Sequence, residues 1–301
     1  MYVRTTAAFL IAETLLSACG GGTSMSPVPF TSFSAVQSNQ PVKANGISQT
    51  VNAQTLGVNN VTATTVNAVD TASSVAQMTY TLAPSPPPMT AFSVTTPTSS
   101  GSWTSIDCAT LAPLCTSSNT NSTMKVANAL NPALAWNYQS FGYWLVNMSS
   151  TSTTVGAMSF GSPTPGVAVP VAGTATYSGL SAGVYVDPGG SVFAHSAAMT
   201  SSVDFGARTI LFSTTGTQVT AVTSGAVVPV GSTLNLTGSF SYAPNSNQFS
   251  GSVTAPAFGA GSTGSASGQF YGPTAQEIGG VYSLKASSGP QTMLGGFGGK
   301  Q

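Results

Sequence analysis

The second half of the sequence consists of short runs in which apolar and small polar residues alternate, and Gly, Pro, Asn or Ser separates one run from the next. Alternation of period two places one set of side chains on each face of an extended strand, and the intervening turn residues connect neighbouring strands. The pattern therefore predicts an all-β fold, a meander, sandwich or barrel of antiparallel strands. The runs are VAVPVAGTATYSGLSAGVYV, SVFAHSAAMTSSVDFGARTILFS, GSTLNLTGSFSYA, QFSGSVTAPAF, GSASGQFYGP and EIGGVYSLKAS.

Two features of these runs sharpen the prediction. Read as one continuous strand, VDFGARTILF places alternate residues from Val203 to Leu211 on one face. Glycine inside a strand is costly by propensity, but in a small closed barrel it permits strong coiling and lets a large ring approach the backbone. The glycines favour a closed barrel, and they are Gly251, Gly264, Gly268, Gly279 and Gly280.

The first half of the chain divides into two parts. Residues 19–75 are rich in Ser, Thr, Val and Asn and carry almost no large side chain to bury, so we interpret them as a flexible, disordered tether. Residues 76–165 are expected to form a β-rich region, because Met78, Tyr80 and Leu82 alternate with small polar residues. The aromatic stretch 136–148 predicts a strand with a heavy apolar load, and an aromatic surface for sugar or base stacking is the alternative.

The N-terminus predicts export and lipidation. Arg4 and the short apolar stretch after it are typical of a signal peptide spanning residues 1–18. Residues 16–19, Leu-Ser-Ala-Cys, have the pattern of a bacterial lipobox, in which the Cys19 thiol receives the lipid. Two or three acyl chains on one residue are enough for stable anchoring, and Gly20, in place of Asp, favours the outer membrane. An ordinary signal peptide with a chance cysteine is the alternative.

The remaining two cysteines are close in sequence. Cys108 and Cys115 form an even pair in an exported chain, which predicts a disulfide that closes a short loop. A metal site is the alternative, but four ligands are needed and the single histidine, His195, lies far along the chain. We expect no cofactor and no metal.

Charge is scarce in this sequence. Only 4% of the residues are charged, with six positive and six negative side chains, so no basic patch is available for nucleic acid. The sequence has no phosphate-binding loop and no nucleophile elbow near His195. These observations argue against an enzyme. Among the few charges, we expect Arg208 to pair with Glu277 or with Asp204, since an unpaired buried charge is costly; the alternative is that they point to solvent.

Several segments resemble a known family. The segments GTATYSG (173–179), VDFGART (203–209), SGQFYGPTAQEIGGVYSL (267–284) and GGFGGK (295–300) are similar to the C-terminal β-barrel of the transferrin-binding protein B family. FGYW (141–144) and SFGSPT (159–164) are looser matches, so the resemblance covers roughly residues 136–301. It implies an eight-stranded antiparallel barrel at 166–301, preceded by a smaller handle-like region. That family consists of bacterial surface lipoproteins that bind partners through variable loops.

The resemblance and the residues together lead to one expectation about function. We expect an outer-membrane or cell-surface lipoprotein, anchored through Cys19, that binds a protein or an iron- or haem-bearing ligand without catalysis and passes it to an outer-membrane transporter. The chain is long enough for one lobe of the two-lobed transferrin receptors, so transferrin binding is not carried over. A structural or adhesive surface protein is the alternative. Contacts are expected from strand-connecting loops and from Tyr185, Phe193 and Phe258, if these rings are exposed.

Overall fold

We describe a computed structural model of the chain that covers residues 26–56, 60–83, 85–108, 113–148, 151–222 and 226–301. In these ranges the secondary structure is almost entirely β-strand, and the helical segments are three single 3₁₀ turns. None of these helical segments is long and apolar enough to cross a membrane. The prediction of an all-β fold is confirmed.

The first sheet, which we call the handle, is formed by residues 28–161. Its strands are β1 (Val28–Pro29), β2 (Val42–Thr55), β3 (Val61–Val66), β4 (Asp70–Tyr80), β5 (Met89–Thr95), β6 (Ser100–Trp103), β7 (Leu114–Ser118), β8 (Ser122–Ala127), β9 (Gln139–Val146) and β10 (Ser152–Gly161). Eight of them follow the order β6-β5-β4-β2-β10-β9-β8-β7, and β1 and β3 pair with β2 outside this path. Asp107, which follows β6, forms a bridge with Thr116 of β7, so the two ends of the sheet meet.

The second sheet is the barrel. Its strands are β11 (Thr174–Val186), β12 (Val192–Asp204), β13 (Thr209–Ala221), β14 (Val227–Val228), β15 (Thr237–Tyr242), β16 (Gln248–Thr254), β17 (Thr263–Tyr271), β18 (Glu277–Lys285) and β19 (Thr292–Lys300). The order β12-β11-β19-β18-β17-β16-β15-β13 is closed by pairing of β12 with β13, and the two-residue β14 pairs with β13 alone. The predicted eight-stranded antiparallel barrel is therefore confirmed.

The predicted tether is wrong over most of its length. β2, β3 and much of β4 lie within residues 19–75, so the handle is larger than predicted. Six consecutive residues of β2, numbers 46–51, are buried, because one face of this strand points into the handle and the other towards the barrel. The hydroxyl groups in this run are paired: those of Ser48 and Ser74 are 2.7 Å apart, and so are those of Thr50 and Thr98. Residues 19–25 lie outside the described residues.

A second correction concerns VDFGARTILF. This segment is a hairpin and not one strand: β12 ends at Asp204, β13 begins at Thr209, and a turn connects them. Arg208 has a positive φ of 57°, and the Oδ1 atom of Asp204 accepts a hydrogen bond of 2.9 Å from the backbone N–H of Ala207. After the turn the faces are reversed relative to the prediction, so that Leu211 is exposed on the outside of the barrel.

Aromatic rings fill the interior of the barrel. Phe212 lies 4.9 Å from Phe297, and Phe240 lies 5.7 Å from Phe249, between ring centroids. Glycine in the barrel wall makes room for these rings, as expected: a Cβ atom at Gly280 would lie 2.7 Å from Cζ of Phe297. Burial of these rings provides the main apolar stabilisation of the barrel.

The handle packs against the outer face of β18 and β19. One set of alternating residues on these strands points into the barrel, and the other set faces the handle. The hydrophobic core of the handle continues onto the barrel's outer face and includes Val184, Val281 and Leu294. Gly296 allows a close approach, since a Cβ atom there would lie 2.8 Å from Cδ2 of Phe141 on β9. The two sheets therefore share one wall.

This shared wall leads to a prediction about stability. Gly296→Ala should lower the free energy of unfolding by about 1–3 kcal/mol, because the added methyl group overpacks against the buried Phe141 ring. Gly206→Ala is the matched control, since the nearest atom to a Cβ there is at 3.4 Å, and it should change stability by less than about 0.5 kcal/mol. Urea unfolding of both variants measures the difference, and equal stability of the two would contradict the close packing described above.

Candidate functional site

Glu277 fixes the junction between the handle and the barrel. Its side chain is buried on the outer face of β18. One carboxylate oxygen accepts a hydrogen bond of 2.5 Å from the N–H of Asn137, and the other accepts bonds of 2.9 Å from those of Tyr138 and Gln139. Burial raises the pKa of Glu277, and the three backbone donors act in the opposite direction by stabilising the charged form. The carboxylate is thus used to hold the start of β9.

The proposed partner of Glu277 is elsewhere. Arg208 is exposed on the turn between β12 and β13, and Asp204 is exposed at the end of β12, where it binds the turn backbone. The prediction that Arg208 pairs with Glu277 is wrong, because backbone amides occupy the carboxylate. Pairing with Asp204 is not found either among the contacts of the described residues. The turn between β12 and β13, which the alternation pattern did not reveal, explains why Arg208 pairs with neither carboxylate: it places Arg208 in solvent and binds Asp204 to the turn backbone.

Cys108 and Cys115 form the predicted disulfide, with their Cα atoms 4.2 Å apart. The bond lies next to the bridge between Asp107 and Thr116, where reciprocal backbone hydrogen bonds of 2.7 Å join the ends of the handle sheet. The disulfide therefore has a structural role, since it lies where the two ends of the handle sheet are joined. Cys19, the predicted lipid attachment site, lies outside the described residues.

His195 points into the barrel. It is buried on β12, and its Nε2 atom lies 3.4 Å from the hydroxyl of Tyr282, which in turn is 2.8 Å from the hydroxyl of Ser181. Burial lowers the pKa of His195 to about 3, and a hydrogen bond to the backbone of Leu294 only partly offsets this. A serine, a tyrosine and a histidine are thus close together, but all three are buried. We assign them to the packing of the barrel interior.

The three aromatic side chains expected to contact a partner are packed together. Tyr185 and Phe258 are buried, Phe193 is partly buried, and the ring of Tyr185 lies 6.1 Å from that of Phe193 and 6.2 Å from that of Phe258. Their role as exposed contact residues is therefore wrong. The long stretch 136–148 is also core: Trp136, Phe141 and Trp144 are buried, which confirms packing over the alternative of an aromatic binding surface.

A cleft opens where the handle and the barrel diverge. It has a volume of about 280 Å³, with β7, β8 and β9 on one side and β11, β12 and β13 on the other. Thr116, Lys125 and Tyr143 are direct neighbours on adjacent strands and so share the face that points into it. The opposite wall is formed by outward-facing side chains of the barrel, such as Val184 and Ala194.

An apolar extension continues from this cleft. Leu145 and Val222 line both spaces. The other residues of the extension come from both sheets and are uncharged: Ala53, Thr55, Val61, Met148, Thr153, Val155, Val186 and Val192. The cleft with its extension therefore has a polar end near Lys125 and an apolar end near Val186. We call the two together the junction cleft.

The sequence analysis did not single out this cleft. Thr123, Lys125 and Ala127 alternate with Met124 and Val126, so the pattern placed Lys125 on the polar face of a strand. Taken alone, such an alternation is typical of a strand with one face in solvent. The signal that the face meets a second sheet resides in residues of the barrel, far along the chain, and is not visible in the local alternation.

Comparison with known proteins identifies the barrel. Residues 169–301 match the family described as C-lobe and N-lobe beta barrels of Tf-binding protein B. Comparison with curated proteins gives no match. Among solved structures, the chain is similar to a mutant of the vaccine antigen transferrin-binding protein B from Haemophilus parasuis Hp5, with 17% identity and a TM-score of 0.49 over 85% of this chain and 45% of that one.

Two further solved structures are similar. Intact Ap-TbpB, with its N and C lobes, has 17% identity and a TM-score of 0.42 over 84% of this chain and 61% of that one. The isotype 1 protein from serogroup B Neisseria meningitidis has 18% identity and a TM-score of 0.42 over 67% of this chain and 38% of that one. The chain thus spans between 38% and 61% of the length of these two proteins.

The buried histidine predicts a pH dependence of stability. Unfolded histidine takes up a proton below a pH of about 6.5, whereas folded His195 stays neutral down to a pH of about 3. The unfolded state therefore binds more protons in this window, and stability falls as the pH is lowered. Since this is the only histidine, its contribution to the free energy of unfolding should drop by about 2 kcal/mol between pH 7 and pH 5.

Urea unfolding at pH 7, 6 and 5 measures this slope, and His195→Gln, which keeps a polar side chain of similar size, is the matched control. The variant should show a flatter dependence over the same range. Imidazole NMR signals of the native protein provide a second readout, since they should not shift between pH 7 and pH 5. Titration of the folded histidine near pH 6 would contradict its burial.

Proposed function

We propose that the chain is a lipid-anchored surface protein that binds a partner without catalysis, from the premise that residues 169–301 match the transferrin-binding protein B barrel family. The family match of the complete barrel carries the proposal. The buried His195 and the backbone-bound carboxylate of Glu277 support a role other than catalysis, since neither group is free to act on a substrate. Iron, haem or solute acquisition with an outer-membrane transporter is the pathway we propose for it.

The lengths of the relatives bear on which partner this chain binds. Relatives named for transferrin binding are about twice as long as this chain or have two lobes, and we do not assign transferrin to it. A structural or adhesive role is the second candidate. The outer faces of the barrel strands favour it in one respect, because exposed Ser and Thr alternate along β12 and β16 and form an almost uncharged surface.

The lipid at Cys19 would hold the folded part close to the membrane. β1 begins at Val28, nine positions after Cys19. Even fully extended, nine residues span only about 30 Å. The handle, which starts at β1, is therefore the region nearest to the membrane in this proposal. A tether of 57 residues, 19–75, does not separate it from the membrane.

Anchoring predicts the behaviour of one variant. Cys19→Ser removes the thiol that accepts the lipid, so the protein should leave the membrane fraction or remain as unprocessed precursor. Membrane fractionation with detergent phase partitioning measures this. The double variant Cys108→Ser with Cys115→Ser is the matched control and should stay in the membrane fraction, because it removes the two other cysteines without touching the lipobox. A Cys19→Ser protein that is processed and still enters the detergent phase would refute the lipid anchor.

Partner binding should depend little on salt. The chain has equal numbers of positive and negative side chains, so long-range electrostatic attraction contributes little to association. We expect the purified lipoprotein to capture a partner from growth medium or cell envelope, with an affinity that changes less than about threefold between low and physiological salt. A collapse of affinity with salt, or turnover of a substrate that His195→Ala abolishes, would contradict the proposal. Adhesion to cells without capture of a soluble partner would favour the second candidate.

A further inference from the structure

Among the residues that the structure describes, Lys125 is the only charged one that lines the junction cleft. Burial between the two sheets lowers the pKa of Lys125 by removing water from its ammonium group. Its side chain forms no hydrogen bond or ion pair with the residues that the structure describes. The carboxylate of Asp107 lies in the same cross-strand row and is separated from Lys125 by the strand that carries Thr116. A partly desolvated cation without a partner favours an anionic ligand.

Tyr143 adds a second free donor at the same place. It pairs with Lys125 across β8 and β9, and its ring is buried. Burial raises the pKa of Tyr143, so its hydroxyl stays protonated and able to donate a hydrogen bond at neutral pH. No described residue accepts that hydrogen bond. The hydroxyl of Thr116 lies on the other side of Lys125 in the same row, and together these groups form one short line of donors.

The barrel wall opposite these donors contributes no negative charge. The residues of β11, β12 and β13 that line the cleft are Val184, Ala194, Thr220 and Ala221. An anionic group bound to Lys125 would therefore meet no carboxylate from either sheet within the cleft. The apolar extension has a volume of about 40 Å³ and is lined by aliphatic side chains, Met148 and two threonines, which suit the end of a hydrocarbon chain that lies mainly in the cleft.

We propose that the junction cleft binds a small amphipathic carboxylate, with its carboxylate on Lys125 and Tyr143 and its apolar part beside Leu145 and Val186. A charge-assisted hydrogen bond to the ammonium orients the ligand, and burial of the apolar part in the junction cleft provides most of the affinity. This site is separate from the binding of a surface partner, and it does not depend on the lipid at Cys19.

Octanoate is a suitable probe, because it combines one carboxylate with a flexible apolar chain. The full chain carrying Cys19→Ser serves as the reference protein, so that no acyl chain of its own competes. Isothermal titration should show saturable binding of octanoate with one site per chain, and binding of 1-octanol at least about tenfold weaker, since the alcohol lacks the charge. Absence of octanoate binding, or equal binding of octanol, overturns the proposal.

Variants locate the site. In the reference protein, Lys125→Met keeps an unbranched apolar stem and should weaken octanoate binding at least about tenfold while leaving octanol binding unchanged. Lys125→Arg keeps the charge and should retain most of the affinity. Lys43→Met is the matched control, because Lys43 is exposed on β2 away from the cleft, and it should bind like the reference. Equal binding by the Lys125→Met and Lys43→Met variants refutes the assignment.

A change in the opposite wall tests the location independently. Ala194→Trp fills the cleft from the barrel side and should abolish binding of both octanoate and octanol. The urea midpoint of each variant verifies that the fold is kept. If a variant fails to fold, the reference protein itself locates the site. Octanoate should displace a fluorescent carboxylate from it, and the NMR signals of isotope-labelled Lys125 methylene groups should shift as octanoate binds. Unchanged Lys125 signals at saturating octanoate exclude this site.

Discussion

The shared wall of β18 and β19 is the constraint on which the rest of the molecule depends. Each of these strands buries both faces, one in the aromatic interior of the barrel and the other against the handle. The inward side chains are large, such as Tyr282 and Phe297, whereas Gly296 on the outward face admits the ring of Phe141. A strand that is buried on both faces does not tolerate charge without complete pairing, and the one carboxylate on this wall, Glu277, is satisfied by three backbone donors.

The low charge of the sequence follows from this architecture. Other polar contacts between the two sheets use hydroxyl pairs: Thr64 lies 2.6 Å from Thr292, and Ser159 lies 2.8 Å from Tyr271, between oxygen atoms. A hydroxyl is both donor and acceptor and is far less costly to bury than a charge. Serine and threonine, which gave the N-terminal part the composition of a disordered segment, are here the side chains that join two sheets.

The sequence was sufficient for the features that depend on local pattern. Alternation and glycine placement predicted the all-β fold and a closed barrel, the family resemblance implied eight strands, and the spacing of Cys108 and Cys115 predicted their disulfide. Features that depend on distant residues were missed. The burial of β2 needs the barrel on one side of it, and the burial of Tyr185 needs Phe258 from the other half of the barrel. The turn at Arg208 was missed because its apolar alternation continues through the hairpin without a break.

The same dependence on distant residues explains why the junction cleft has its particular chemistry. β8 and β9 turn one face towards the barrel, and along most of the shared wall this face carries apolar or hydroxyl side chains. Lys125 departs from that pattern at the point where the sheets diverge, so its ammonium group is neither buried in the wall nor fully hydrated. In a chain with so few charges, no neighbour neutralises it. A partly desolvated ammonium group without a partner lowers the stability of the fold. This is the physical reason to assign Lys125 to ligand binding.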